Sequence, residues 1–222
     1  MKTVVITGAN RGIGLALATQ YAQQNHVVYA LCRQSSAELA ALESNVKVIE
    51  WVDVAQEVGI ETMITQLRGV KIDLLICNAG ILRDESLHQL NVDSIRQQFE
   101  VNALAPLRVV AVLQAQLVNG AKVAMITSRM GSITDNTSGG RYGYRMSKAA
   151  LNAASMSLSH DLAPRQIAVG IYHPGYVQTG MVNYGGDISP NESASRLVGL
   201  IDTLSLETSG VFKHSNGQDL PW

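Results

Sequence analysis

Thr7-Gly8-Ala9-Asn10-Arg11-Gly12-Ile13-Gly14 joins a short β-branched run, Thr3–Thr7, to a helical pattern over Gly12–Gln24 that places Ile13, Leu17 and Tyr21 on one face. Gly8 lets the chain turn sharply after a strand. Gly12 lacks a Cβ, so a pyrophosphate can approach its backbone, and Gly14 permits close helix–strand packing. Free N–H groups and the positive end of the helix dipole would complete a phosphate cradle. The spacing is Gly-x-x-x-Gly-x-Gly rather than the commoner Gly-x-Gly-x-x-Gly, and a plain tight turn can carry the same glycines. The strand-to-helix context at residue 8 is what favours a nucleotide.

Outward from this segment the pattern repeats. Strands are expected at Val27–Cys32, Val46–Val52, Ile72–Cys77, Lys122–Thr127, Ile167–Tyr172 and Gly210–Lys213. Between them stand helical stretches at Ala37–Ser44, Glu57–Arg68, Val92–Val118, Tyr142–Ala163 and Asn191–Leu204. The strands are nearly continuous apolar runs, as in strands covered on both faces. Such alternation implies right-handed βαβ crossovers and one parallel sheet, and no linker or repeat interrupts it. One domain over residues 1–222 is expected, with ligands outside the carboxyl ends of the strands.

Composition removes several function classes. The 222 residues are 46% hydrophobic and 16% charged, with a net charge of -1. Disorder needs the opposite balance, and no basic field exists to attract nucleic acid or anionic lipid. The two cysteines, Cys32 and Cys77, make neither a disulfide framework nor a metal box, and each ends an apolar run as small filler. No His or Cys pair has ligand spacing, so no metal is expected. The longest apolar region, Ala103–Leu113, is interrupted by Pro106 and Arg108, too short to span a bilayer. A cytoplasmic protein without a membrane or nucleic-acid partner is the expectation.

Residues that follow the strands carry the chemistry. After the second strand no acidic residue lies between His26 and Ala37, whereas Arg33 stands where a cofactor's ribose is read. With Arg11 it could fork onto a 2′-phosphate, which favours NADP(H) and leaves NAD(H) possible; two solvated surface arginines are the alternative. Asp53-Val54 could take an adenine edge, or Asp53 could cap the next helix. Asn78-Ala79-Gly80 offers small residues against which a ribose can lie. Pro174-Gly175 follows the sixth strand, and Thr179 comes within reach of a phosphate or carboxamide.

Tyr144 and Lys148 share a helical face, one turn apart. A nearby ammonium would bring the phenol toward working pH, where it can exchange a proton. Tyr142 competes but has Met146 four residues on. Ser128, directly after the fifth strand, could polarise a carbonyl. Asn102 lies four residues before Pro106, whose missing N–H frees the Asn102 carbonyl to hold a water linked to Lys148. Each of these signals is common by itself: Tyr-x-x-x-Lys in surface helices, serine in loops, asparagine at helix kinks.

Together, in order and at these spacings, they resemble the short-chain dehydrogenase/reductase family over Thr3 to Trp222. The resemblance implies a three-layer doubly wound Rossmann fold with a seven-stranded, mostly parallel sheet. It implies hydride transfer between NAD(P)H and a carbonyl or alcohol, with Asn102, Ser128, Tyr144 and Lys148 as the catalytic set. Tyr144 would be the acid/base and Lys148 would also bind the nicotinamide ribose. Gly8, Asn10, Arg11, Gly12, Ile13 and Gly14 would hold the phosphates, and Pro174, Gly175, Val177 and Thr179 would flank the nicotinamide. Ser128-Arg129-Met130-Gly131-Ser132-Ile133 and the ending Gly217–Trp222 look like the subgroup of C-factor signalling proteins and sniffer-type carbonyl reductases. Hence a cofactor-binding signalling protein with little turnover is the competing expectation. Nucleotide-sugar epimerisation is disfavoured, since no second substrate domain fits. The family also implies a homodimer or homotetramer paired through the two long helices. Glycines in Gly180–Gly186 suggest a short, mobile lid and loose substrate selection.

Overall fold

The computed structural model describes residues 1–42 and 44–222. Its strands are β1 (Thr3–Thr7), β2 (Val27–Leu31), β3 (Val46–Ile49), β4 (Ile72–Cys77), β5 (Leu117–Ile126), β6 (Ala168–His173) and β7 (Phe212–His214). Among the described residues they form one sheet in the order β3-β2-β1-β4-β5-β6-β7, and every adjacent pair is parallel. The order reverses between β1 and its neighbours β2 and β4, which makes the crevice above β1 and β4 the topological switch point.

The helices are α1 (Gly12–Gln23), α2 (Ala37–Ala40), α3 (Glu57–Gln66), α4 (Val92–Phe99), α5 (Ala105–Leu113), α6 (Tyr142–Leu162) and α7 (Pro190–Thr203). Alternate strand residues enter opposite cores, as a period of two requires. Val4 and Ile6 join Leu17, Tyr21, Leu197 and Ile201 beneath α1 and α7. Val5 joins Leu75, Val109, Leu113 and Leu151 beneath α5 and α6. Cys32 and Cys77 are free and buried, one in each core. No helix among the described residues is long and apolar enough to cross a membrane.

Two expectations need correction. The helix expected over Val92–Val118 ends at Leu113, and Leu117 pairs with Ile72 as the start of β5. Gln116 makes the reversal: its N–H donates to the Leu113 carbonyl, and its own carbonyl accepts from Ile72 N–H. Leu117 and Val118 continue an apolar run, and periodicity cannot tell a buried helix end from a strand start. The same element carries a π-helical turn over Glu100–Leu104, one residue before Pro106, with Ala105 N–H reaching back to the Glu100 carbonyl. Proline denies the Asn102 carbonyl its usual helical donor, and a widened turn is one way a helix absorbs that loss. The helix expected over Ala37–Ser44 is described only as Ala37–Ala40, and Glu43 lies outside the described residues.

Candidate active site

The glycine segment closes the end of β1 against the end of β4. Gly8 has φ +68°, and a Cβ there would meet the Ala79 Cα at 2.9 Å. A Cβ on Gly14 would lie 2.2 Å from the Gly8 carbonyl oxygen and 2.5 Å from Asn78 Nδ2. Gly14 therefore packs the start of α1 onto the loops, and the strand itself is not its partner. Asn78 Nδ2 donates to the Thr7 and Gly8 carbonyls, both at 3.1 Å. The Thr7 hydroxyl accepts from Asn78 N–H and Ala79 N–H. Asn78 thus ties the two loops across the switch point, a task its sequence position did not announce.

The start of α1 is left open. Ser36, Asn91 and Ser189 each cap their own helix through the side chain. Arg11, the N-cap of α1, makes no such bond, and the first turn of α1 holds no acidic residue. Its N–H groups and positive dipole end are uncompensated. Gly12, at φ +56°, faces Thr179, whose Cγ2 would be 3.2 Å from an added Cβ. Thr179 is thereby brought to the glycine loop from beyond β6. A diphosphate fits this donor set.

Arg11 and Arg33 are exposed, and among the described residues neither forms a salt bridge. Their loops are joined by Asn10 Nδ2, which donates to the Gln34 carbonyl at 2.9 Å. Glu50 also reaches this loop from the end of β3 and accepts from Ser35 N–H. Local sequence showed no acid here because Glu50 arrives through strand pairing. Asp53 does not cap α3, whose N-cap is Gln56; its carboxylate accepts from Ala55 N–H at 3.0 Å, and Val54 beside it is buried.

The chemical residues come together on the other side of β1. Ser128 follows β5 and its Oγ accepts from Met130 N–H. Tyr144, in the first turn of α6, is 8% exposed, and Ser128 and Lys148 are equally buried. Tyr142 is half-buried. Lys148 Nζ donates to the Ile126 carbonyl at 2.9 Å and lies 5.8 Å from the centre of the Tyr144 ring. A Cβ on Gly80 would be 3.7 Å from Lys148 Nζ and 3.2 Å from Asn102 Oδ1. The backbone of the Asn78-Ala79-Gly80 loop thus runs beside the ammonium.

Asn102 contributes its side chain as well as its place before Pro106. Oδ1 accepts from Ile81 N–H at 2.8 Å, and Nδ2 donates to the Ile81 carbonyl and to Ser147 Oγ. Ser147 Oγ in turn donates to the Tyr144 carbonyl. Sequence reasoning also missed Glu85, a buried carboxylate that accepts from Ser94 Oγ, Gln98 Nε2 and Gly143 N–H. It pins the start of α6 to α4. Nothing local marks Glu85 or Ser147, since each acts through elements distant in the chain.

Electrostatics reverse one expectation. Lys148 was expected to bring the Tyr144 phenol toward neutrality. Burial instead pushes Tyr144 above its ordinary value, against the opposing pull of the Ser128 hydroxyl and the Arg141 charge. Burial also brings the Lys148 amine down to about 8. Desolvation disfavours both charged forms, and one of the three Lys148 ammonium donors is engaged by the Ile126 carbonyl. The turn after β6 is held as well: Val177 is buried and bridges Ile188, and the Pro174 carbonyl is hydrogen-bonded.

The short chain dehydrogenase family model matches residues 2–187. The chain is 39% identical to 1-hydroxy-2-glutathionyl-2-methyl-3-butene dehydrogenase of Rhodococcus sp. strain AD45, covering all of both chains. It is 42% identical to C-signal of Myxococcus xanthus over 68% of this chain and 93% of that one. Its fold is similar to that of the NADPH-bound carbonyl reductase from chicken fatty liver, with a TM-score of 0.90 and 26% identity over 100% of this chain and 99% of the other.

Proposed function

The chain belongs to the short chain dehydrogenase family, and from that premise we propose that it is an NADPH-dependent carbonyl reductase. The observation that carries this reading is the burial of Ser128, Tyr144 and Lys148, with the Lys148 ammonium beside the Gly80 backbone. NADPH, when bound, supplies hydride to the carbonyl carbon. The Ser128 and Tyr144 hydroxyls hold the carbonyl oxygen as it takes on charge. The raised phenol keeps its proton at neutral pH, which suits it to be the acid that protonates the nascent alkoxide. Lys148 would hydrogen-bond the ribose hydroxyls and, with a water on the Asn102 carbonyl, would return a proton to Tyr144. Gly8, Asn10, Gly12, Ile13 and Gly14 would take the diphosphate, and Arg11 and Arg33 the 2′-phosphate. Asp53 and Val54 would border the adenine. Asn78, Ala79 and Gly80 would support the ribose, with Pro174, Gly175, Val177 and Thr179 around the nicotinamide. The uncapped α1 terminus and the arginines without a salt bridge among the described residues support that assignment, as does the NADPH bound by the chicken carbonyl reductase.

The relative named as a dehydrogenase of a glutathionyl alcohol supports assaying both directions, because the same groups serve in reverse. NADPH consumption across aldehydes and ketones, and NADP+ reduction across alcohols, is the test. Tyr144→Phe is expected to lower kcat about 10²–10⁴-fold on any responsive substrate; a near-wild-type kcat refutes the role. Tight NADPH binding without turnover on the whole panel would instead favour the signalling reading, which the likeness to C-signal supports.

A further inference from the structure

We infer that Ser193 and Ser215 are positioning residues that anchor the Pro174-Gly175 turn for the nicotinamide half of the cofactor. The inference rests on the reading above, in which this turn flanks the ring. Proline has no N–H, so its carbonyl is the only backbone polar group by which Pro174 can be held. That carbonyl accepts from Ser193 Oγ at 2.7 Å and from Ser215 Oγ at 3.0 Å. Ser193 stands in the first turn of α7 and Ser215 follows β7, so two separate elements converge on one oxygen. Ser215 N–H also donates to the His173 carbonyl at 2.8 Å. Two consecutive carbonyls at the end of β6 are thereby tied to the turn after β7.

The hydroxyls are unusual choices for their places. Ser193 is 0% exposed and Ser215 3%. At Ser193, beside Ala194 and Leu197, an alanine would favour the helix more and bury no polar atom. The turn they hold needs an anchor. Gly175 has φ +96°, and a Cβ there would come within 3.0 Å of Ile188 Cδ1. A Pro-Gly turn released from such bonds regains glycine's wide range of backbone angles. A carbonyl oxygen has two lone pairs, and both are used here. Pro174 therefore has no acceptor to offer a carboxamide, which falls to groups further along the turn, Val177 and Thr179.

The test separates the two halves of the cofactor. Equilibrium dissociation constants for NADPH and for 2′,5′-ADP, which lacks the nicotinamide half, are measured on the full chain and on Ser193→Ala, Ser215→Ala and the double variant, with thermal midpoints recorded. Loss of both hydrogen bonds is expected to weaken NADPH about tenfold and to leave 2′,5′-ADP within about twofold, with a lower kcat. Ser193→Thr, which keeps the hydroxyl, is expected to retain NADPH affinity. If the double variant does not fold, the single variants decide by the same criterion, at about threefold each. Parallel weakening of both ligands, or no weakening of either, overturns the anchor. Wild-type protein that binds neither NADPH nor 2′,5′-ADP would overturn the cofactor reading itself before the anchor is in question.

Discussion

The two sides of β1 treat their polar groups in opposite ways. Toward β2 and β3, Arg11 and Arg33 are exposed and without a salt bridge among the described residues, and α1 begins with no side-chain cap. Toward β4, β5 and β6, Asn102, Ser147, Glu85, Gln98 and Lys148 are buried, and each has a partner within the protein. The difference follows from what each side must do. A phosphate brings its own charge and acceptors, so donors waiting for it can face solvent at little cost. Proton transfer needs hydroxyls held in one geometry before substrate arrives, so their supports are built in and kept dry. On the proposed reading, Ser147, Glu85 and Gln98 hold the catalytic side in place from within the protein, and the nucleotide side would be completed by the ligand.

The sharpest way to break this contrast is Lys148→Met. Burial holds the Lys148 amine at about 8 against an ordinary value of 10.5. Between those two values the unfolded chain binds a proton that the folded one has released, so stability should rise with pH across that window. Below it the full penalty of a buried charge is present. The methionine variant should therefore be more stable than wild type at pH 7, by up to about 3 kcal/mol, and should lose the rise between pH 8 and 10.5 while activity collapses. Denaturant unfolding at pH 7 and pH 10 reads both effects. An unchanged slope with pH would show that Lys148 is not buried as a strained cation.

Arg33→Asp probes the open side. It should weaken NADPH by about tenfold or more, the loss of a charge-assisted contact with the 2′-phosphate, while leaving NADH nearly unaffected and the thermal midpoint unchanged. Equal weakening of both cofactors would mean that Arg33 does not read the 2′-phosphate, and Glu50 on the same loop would then become the residue to test. The smallest effect is expected from Ser189→Ala, which removes the α7 cap. It should cost about 1 kcal/mol of stability and leave NADPH affinity intact, since α7 closes its own terminus and α1 does not. A fall in NADPH affinity at Ser189→Ala would erase that distinction.

Much of this was readable without coordinates, because local rules sufficed. β1 and α1 follow from a five-residue β-branched run and a glycine segment with one helical face behind it. Ser128, Tyr144 and Lys148 follow from strand ends and helical spacing. Local rules failed where partners lie far apart in the chain. Leu117 and Val118 read as the end of a helix, because only the pairing of Leu117 with Ile72 marks the start of a strand. Glu50 was invisible in the ribose region because it arrives across β2. The shift at Tyr144 took the opposite direction because a spacing of four says nothing about desolvation.

The order of strands and helices, and the candidate cradle and reactive side chains, are read from sequence, since propensity, periodicity and turn chemistry act over a few residues. Which groups hold those side chains in place was a tertiary decision. Asn102 on Ile81, Glu85 on Gly143, and Ser193 and Ser215 on Pro174 are contacts between segments far apart in the chain. Buried polar atoms take whatever partner the packed fold brings to them, and that choice exists only once the sheet has closed.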